Sequence, residues 1–220
     1  MHCRSKPEPR WERRKDARPQ ELLAAALDLF VEKGFASTRL EDVAKRAGVS
    51  KGTLYLYFEN KEDLFKAVVR NTIVPALGQA ESSIAGFDGP SAALLQMIVM
   101  GWWENVGATK ASGIIKLVMA EAGNFPDLAD FYKEEVIDRG TQMISGLLER
   151  GIARGEFRPM DVNQATQVLI APMLMLITWK HSIGPCDRCD LDPLAFLKSF
   201  VEIALNGLLA TPASPATPPA

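Results

Sequence analysis

Apolar residues recur every three or four positions along most of the chain, and no stretch sustains a two-residue alternation, so the pattern predicts an all-α protein. The first helix is expected over 19–33, with Leu23, Ala26, Leu27 and Phe30 on one face and Gly34 as a left-handed stop. A second turns Leu40, Val43, Ala44 and Ala47 inward, and Gly48 ends it. Thr38 and Glu41 have the spacing of a capping box at its start. Ser50 is placed to cap a third helix running to about Phe58, with Leu54 and Phe58 facing the core and Gly52, Thr53, Tyr55 and Leu56 on the other side. Asn60 caps a fourth, whose Leu64, Phe65, Val68, Val69 and Thr72 lead toward Pro75, where a kink or end is expected.

Beyond the break at 85–89 the chain becomes more apolar. Pro90 suits the first turn of a fifth helix carrying Leu94, Leu95, Ile98, Val99, Trp102, Trp103 and Val106. A sixth covers 111–123, and the Asn124-Phe125-Pro126 turn introduces a long seventh with Phe131, Val136, Ile137, Ile144, Leu147 and Leu148. The eighth starts near Asp161 and reaches about His181. The ninth starts at Asp192-Pro193, a cap followed by a first-turn proline, and carries Leu197, Phe200, Val201 and Leu208. After Ala210 only Pro, Ala, Thr and Ser remain, too little apolar surface to fold. About nine helices result, with no internal repeat.

A chain of 220 residues with 47% hydrophobic content can bury a substantial core without disulfide staples. Its three cysteines, an odd count, and a polar start with no apolar leader point to a reducing cytoplasm. The longest apolar run, Val168 to Trp179, is too short to cross a bilayer and contains Pro172. The net charge of −2 hides an asymmetry: residues 1–70 hold 15 Lys+Arg against 11 Asp+Glu, whereas residues 71–220 hold 10 against 16. An excess of positive charge confined to one end is the footprint of a domain that meets phosphates.

The second helix, the Gly48-Val49 turn and the third helix form a helix-turn-helix, the motif spanning Arg39 to Phe58. A helix of this kind fits the major groove and presents its first residues to base edges while the preceding helix crosses the backbone. Gly52 removes a side chain where approach must be close, and Thr53 and Tyr55 offer hydroxyls and apolar surface to bases. Arg39, Lys51, Tyr57 and Lys61 are assigned to phosphates, which fix register rather than choose sequence. Thr38 and Ser50 complete the expected interface as caps. Taken alone, Tyr55 and Tyr57 could be packing residues of a plain helical hairpin.

The run from Val43-Ala44 through Ala47-Gly48-Val49-Ser50-Lys51-Gly52-Thr53-Leu54-Tyr55-Leu56-Tyr57-Phe58, followed by Asn60-Lys61-Glu62-Asp63-Leu64, resembles the DNA-binding domain of the TetR/AcrR family of bacterial regulators. The Ala120-Glu121-Ala122-Gly123-Asn124-Phe125-Pro126-Asp127-Leu128 segment is similar to AcrR-type bodies. The resemblance implies a homodimer of all-α subunits whose last two long helices pair with their twins. It also implies a pocket among the middle helices, where a small molecule changes the spacing of the reading heads and releases the operator. On this basis residues 1–15 are expected to be a basic flexible arm, 16–76 a helix-turn-helix domain, 77–210 an effector-binding and dimerisation domain, and 211–220 a disordered tail.

Within the body, Met97, Trp102, Trp103, Met119, Met143, Met173 and Trp179 supply large polarisable groups suited to an apolar effector, although core packing alone would also use them. The eighth and ninth helices hold more apolar surface than one subunit buries and are the candidate dimer face. Arg10, Arg13, Arg14, Lys15 and Arg18 could follow phosphates or remain a solvated tail. Cys186-Asp187-Arg188-Cys189, with His181 upstream, is read as an incidental pair, since two soft ligands do not make a structural zinc site. With two histidines, no phosphate-binding glycine loop, no Gly-x-Ser-x-Gly and no His-Glu-x-x-His, the sequence predicts no catalytic residue, no cofactor and no metal. Glu121, Glu134 and Glu135 are expected as solvent or capping groups. The expected function is a cytoplasmic, sequence-specific repressor released from a palindromic double-stranded operator by a small hydrophobic effector. The alternative is a DNA-bound architectural or interaction protein of the same fold, without a small-molecule effector.

Overall fold

The computed structural model describes residues 12–184 and 191–209, with side chains from Pro19 onward. The Cys186–Cys189 pair, most of the basic arm and the 211–220 tail lie outside the described residues. Helix α1 (Glu12–Ser37) begins seven residues before the expected start at Pro19, so part of the segment assigned to a flexible arm has helical backbone. Its true stop is where expected: Gly34 adopts φ +82°, a left-handed conformation that a side chain disfavours.

The reading head is built from α1, α2 (Leu40–Arg46), α3 (Lys51–Tyr55) and α4 (Lys61–Thr72). Its core holds Leu22, Phe30, Phe35, Val43, Leu54, Leu64 and Phe65, all fully buried. Phe30, Phe35 and Phe65 meet with ring centroids 5.5–5.7 Å apart, two of the three pairs edge to face. Ser50 caps α3 by accepting the Thr53 amide at 3.0 Å, and Asn60 caps α4 by accepting the Asp63 amide at 2.7 Å. Gly48, at φ +68°, makes the turn between α2 and α3. The third helix is shorter than expected: i to i+3 bonds from the Leu56 and Tyr57 amides tighten its end and deliver Phe58 to the core.

The capping box at Thr38 does not form. The cap position of α2 is Arg39, which makes no side-chain cap bond. Thr38 is 1% exposed, and its hydroxyl donates to the carbonyls of Leu29 at 3.2 Å and Gly34 at 2.7 Å. The buried hydroxyl thus satisfies carbonyls at the end of α1 instead of an amide of α2.

Thr72 ends α4, and the rod restarts as α5 (Val74–Ala85), an element the pattern did not separate out, with Pro75 in its first turn. Proline lacks the amide that would continue α4, so the chain bends at Ile73 and α5 leaves in a new direction. The body continues with α6 (Ser91–Trp102), extended by a π turn over Trp103–Gly107, and α7 (Ser112–Glu121). Next come α8 (Pro126–Tyr132), a π turn over Lys133–Ile137 and α9 (Asp138–Ala153) in one long rod. Helix α10 (Val162–Thr178), with a third π turn over Trp179–Ile183, and α11 (Pro193–Leu208) finish the chain. Asp192 caps α11 as expected, and Asp161, the expected start of the eighth helix, caps α10. The only extended pairing among the described residues is an isolated bridge between Phe157 and Leu209.

The rod from Val162 to Ile183 has 22 residues and a mean hydropathy of 1.2, so it exceeds the apolar run read from sequence and is long enough to cross a bilayer. One face of it packs on the body. Thr166, Leu169, Met173, Leu176 and Ile177 are buried against the body, and Lys180 near its end is hydrogen-bonded to the protein. The opposite face leaves Val168 and Met175 exposed, as α11 leaves Leu194 and Ile203.

Candidate nucleic-acid interface and interior cavity

The outward face of α3 is assembled by its own cap. Ser50 Oγ, while holding the Thr53 amide, lies 2.8 Å from Thr53 Oγ1, so the Thr53 side chain is oriented before any partner arrives. Gly52 is exposed beside it, and Tyr55, Leu56 and Tyr57 are 44%, 81% and 38% exposed. Three large side chains left in solvent around one short helix end form a surface fit for base edges and sugar, with Leu56 an apolar contact absent from the expected list. Arg39 is exposed at the start of α2 and makes no ion pair among the described residues. Lys51 is paired with Glu41, an interaction that holds the carboxyl below its usual range and the ammonium above its own. It also sits 5.6 Å from the centroid of the Tyr55 ring. Arg39, Ser50, Lys51, Gly52, Tyr55 and Tyr57 are therefore exposed, and Thr53 is half-buried beside Ser50.

Two expected contacts are placed elsewhere. Thr38 is buried, so its side chain cannot reach a phosphate. Lys61 donates to the carbonyls of Phe35 at 2.7 Å and Ala36 at 3.1 Å, and lies 4.4 Å from the centroid of the Phe35 ring. Those carbonyls follow the Gly34 break, and that of Phe35 also accepts the Thr38 amide at 3.3 Å, so in this structure the lysine that the sequence assigned to DNA ties down the end of α1.

The same short turn is gripped from the other domain. Glu121, the last residue of α7, accepts the amide of Phe35 at 3.0 Å through Oε1 and that of Ala36 at 2.9 Å through Oε2. A side chain at position 34 would have its Cβ 2.3 Å from that Oε1, so Gly34 serves both the backbone angle and the close approach. Phe125 stacks edge-on against Phe35 at 4.8 Å, and Lys110–Asp28 and Arg70–Glu135 pairs span the same boundary. Glu121 is thus a capping group, as expected, but for an element 86 residues away.

Behind α7 lies a cavity of about 440 Å3, within the usual size of small-molecule sites, bounded by α5, α6, α7, α9, α10 and the π turn after α8. Five of the seven expected effector residues line it: Met97, Trp102, Met119, Met143 and Met173. Trp103 points away, buried with its ring over Gly107 and 5.7 Å from Lys180 Nζ, and Trp179 packs beside Gly184 at the far end of α10. The reason is local. Successive side chains on a helix point about 100° apart, so adjacent Trp102 and Trp103 take different environments. Residues the sequence reading missed include Tyr132, Thr141 and Gln167. Ile115, Val118 and Met119 place α7 on the cavity wall, three turns or less from Glu121.

A third polar cluster joins the π turns. Lys180 donates to the carbonyls of Gly107 at 2.7 Å and Thr109 at 3.1 Å, and Ser112 Oγ lies 2.7 Å from His181 Nε2. Burial lowers the pKa of both Lys180 and His181, the latter aided by the charges of Lys180 and Lys116. Among the described residues no three His, Cys, Asp or Glu side chains are grouped to hold a metal ion.

A short capped helix with an exposed polar-aromatic face, carried on a bundle with an internal cavity, defines a helix-turn-helix regulator. Residues 22–68 match the family of bacterial regulatory proteins called tetR, and residues 90–194 match the tetracyclin repressor-like C-terminal domain. The chain belongs to the tetR family and is a DNA-binding transcriptional regulator, as its relatives are, rather than an enzyme. It is 28% identical over 197 residues to the transcriptional repressor KstR2 of Rhodococcus jostii, covering 88% of this chain and 92% of that one. Among solved structures, the transcriptional regulator FadR of Bacillus subtilis in complex with stearoyl-CoA is similar at a TM-score of 0.67 and 22% identity, covering 86% of this chain and 98% of that one. The ketosteroid transcriptional regulator KstR2 of Mycobacterium tuberculosis gives 0.67 and 23%, covering 88% and 98%.

Proposed function

We propose that this regulator is a cytoplasmic homodimeric repressor that holds a palindromic operator and leaves it when a small apolar molecule fills the cavity. The observation that carries this reading is α7, whose one flank lines the cavity while its last residue, Glu121, holds the turn from which the reading head departs. A ligand that displaces Ile115, Val118 or Met119 moves Glu121, and with it Phe35 and Ala36. Differential affinity for the two placements is then the source of release. Arg39, Lys51 and Tyr57 contact phosphates; Gly52, Thr53, Tyr55 and Leu56 meet bases. Met97, Trp102, Met119, Met143 and Met173 contact the effector. The exposed apolar faces of α10 and α11 support pairing with a second copy, which sets the half-site spacing. The cavity favours this over an architectural role, for which a filled core would suffice.

The test is fluorescence anisotropy on the duplex upstream of the protein's own gene, against a scrambled duplex at modest salt. Wild type is expected to prefer its own region, and Lys51→Ala with Tyr55→Ala to lose roughly 100-fold in affinity without a change in melting temperature. Equal binding to both duplexes by wild type, or an unchanged preference in the variant, would defeat the proposal.

A further inference from the structure

The cavity wall has no charged side chain. Its polar members Gln79, Ser83, Asn105 and Gln167 are exposed and stand at the rim, and Thr141 is half-buried. Tyr132, by contrast, is 4% exposed and makes no hydrogen bond to any described residue, although it lines the cavity. Its hydroxyl, engaged by no described residue, is left to donate to an oxygen supplied from within the cavity. Burial alone drives its pKa upward, so the ring stays neutral and can offer its proton.

No cation among the wall residues would meet an anion. Of the three cations next to wall residues in sequence, Arg139 is engaged by Glu81 through Nε to Oε1 at 2.8 Å and Nη2 to Oε2 at 2.7 Å, Lys133 is engaged by Asp138 at 2.8 Å, and Lys116 lies near enough to His181 for its charge to lower that ring's pKa. The body as a whole carries 10 Lys+Arg against 16 Asp+Glu over residues 71–220, so a multiply charged head group outside the mouth is also repelled. One neutral donor does not compensate the desolvation of a full charge, whereas it suits a carbonyl or hydroxyl oxygen well.

Resting on the reading of the cavity as the effector site, we propose that the effector is an uncharged apolar molecule whose carbonyl or hydroxyl oxygen accepts a hydrogen bond from Tyr132, and that the site rejects free carboxylates and coenzyme A conjugates. Tyr132 is thereby a specificity-determining residue, and the apolar walls carry affinity without choosing a head group.

Dodecan-1-ol, dodecanoate and dodecanoyl-CoA share one chain and differ in charge, and progesterone serves as a rigid neutral ketone. Binding to the full-length protein is followed by quenching of tryptophan emission, and operator release by anisotropy. At least one neutral probe is expected to bind tenfold or more tightly than either anion. Tyr132→Phe should weaken that probe about fivefold to tenfold without lowering the melting temperature, since it removes no protein–protein bond. Anions binding as well as the neutral probes, an affinity indifferent to Tyr132→Phe, or no binding by any probe would each overturn the proposal. Anions that bind and release the operator would overturn it while leaving the effector reading intact. Neutral probes that bind through Tyr132 yet never alter operator affinity would support the proposal and sink the effector reading.

Discussion

The reading head and the body use the same helical grammar to opposite ends. The head buries Leu54, Phe30, Phe35 and Phe65 completely, caps α3 and α4 with side chains, and leaves Tyr55, Leu56 and Tyr57 exposed. The body spends a larger apolar complement on enclosing space, and three π turns interrupt its helices beside or near that space. A packed domain holds one geometry; a domain with a cavity can adopt two at modest cost, which is what a switch requires. The contrast predicts that equal truncations have unequal effects on the two sides of the Glu121 contact.

The largest effect belongs to the head's core. Leu54→Ala removes a fully buried side chain and should destabilise by about 2–5 kcal/mol, seen as early loss of helical signal on heating. Met97→Ala, on a cavity wall and 37% exposed, should cost under about 1 kcal/mol by the same measurement, because no filled volume is emptied. Comparable losses would erase the distinction between the two regions.

Lys61→Ala comes next. Because its ammonium is bound to the Phe35 and Ala36 carbonyls, the substitution should lower the stability of the head by roughly 1 kcal/mol. A loss confined to DNA affinity, with an unchanged melting temperature, would return Lys61 to the phosphates. Glu121→Gln keeps the shape but removes the charge that strengthens two backbone bonds, and one amide would face a donor. Operator affinity without effector should change by less than about threefold, while the effector-induced drop should shrink by about fivefold to tenfold. A full effector response in this variant would show that coupling runs through another contact.

The smallest effect is a pH slope. His181 titrates below its ordinary value of 6.5 because of burial and then the Lys180 and Lys116 charges. As pH falls through 6.5 the unfolded chain takes up a proton that the folded chain refuses until a lower pH, so stability declines across that window. His181→Gln should flatten the slope between pH 6.5 and its lowered folded value; an unchanged slope would place the titration elsewhere.

Local rules made most of the head legible. The Ser50, Asn60 and Asp192 caps and the Gly34 and Gly48 turns need only near neighbours in sequence, and all occur as the pattern predicts. What departed from the pattern involved partners outside the helix being read, from 4 to 26 residues away. Thr38 has the right spacing for Glu41, but carbonyls at the end of α1 claim its hydroxyl. Lys61, read as a phosphate ligand, also has the Phe35 and Ala36 carbonyls beside it, which spacing does not reveal. In the body, spacing finds apolar faces but does not divide side chains that fill space from those that border it. Five of seven candidates therefore reached the cavity, whereas Trp103 and Trp179 did not, and Tyr132 went unnoticed among its apolar neighbours.

The most direct test of the central claim is selection of duplexes from a random pool by wild type and by Thr53→Ala with Tyr55→Ala. Wild type should enrich a palindrome of two half-sites, and the variant should retain weak salt-sensitive binding with no enriched sequence. Enrichment of the same palindrome by both proteins would contradict the assignment of base reading to the outward face of α3.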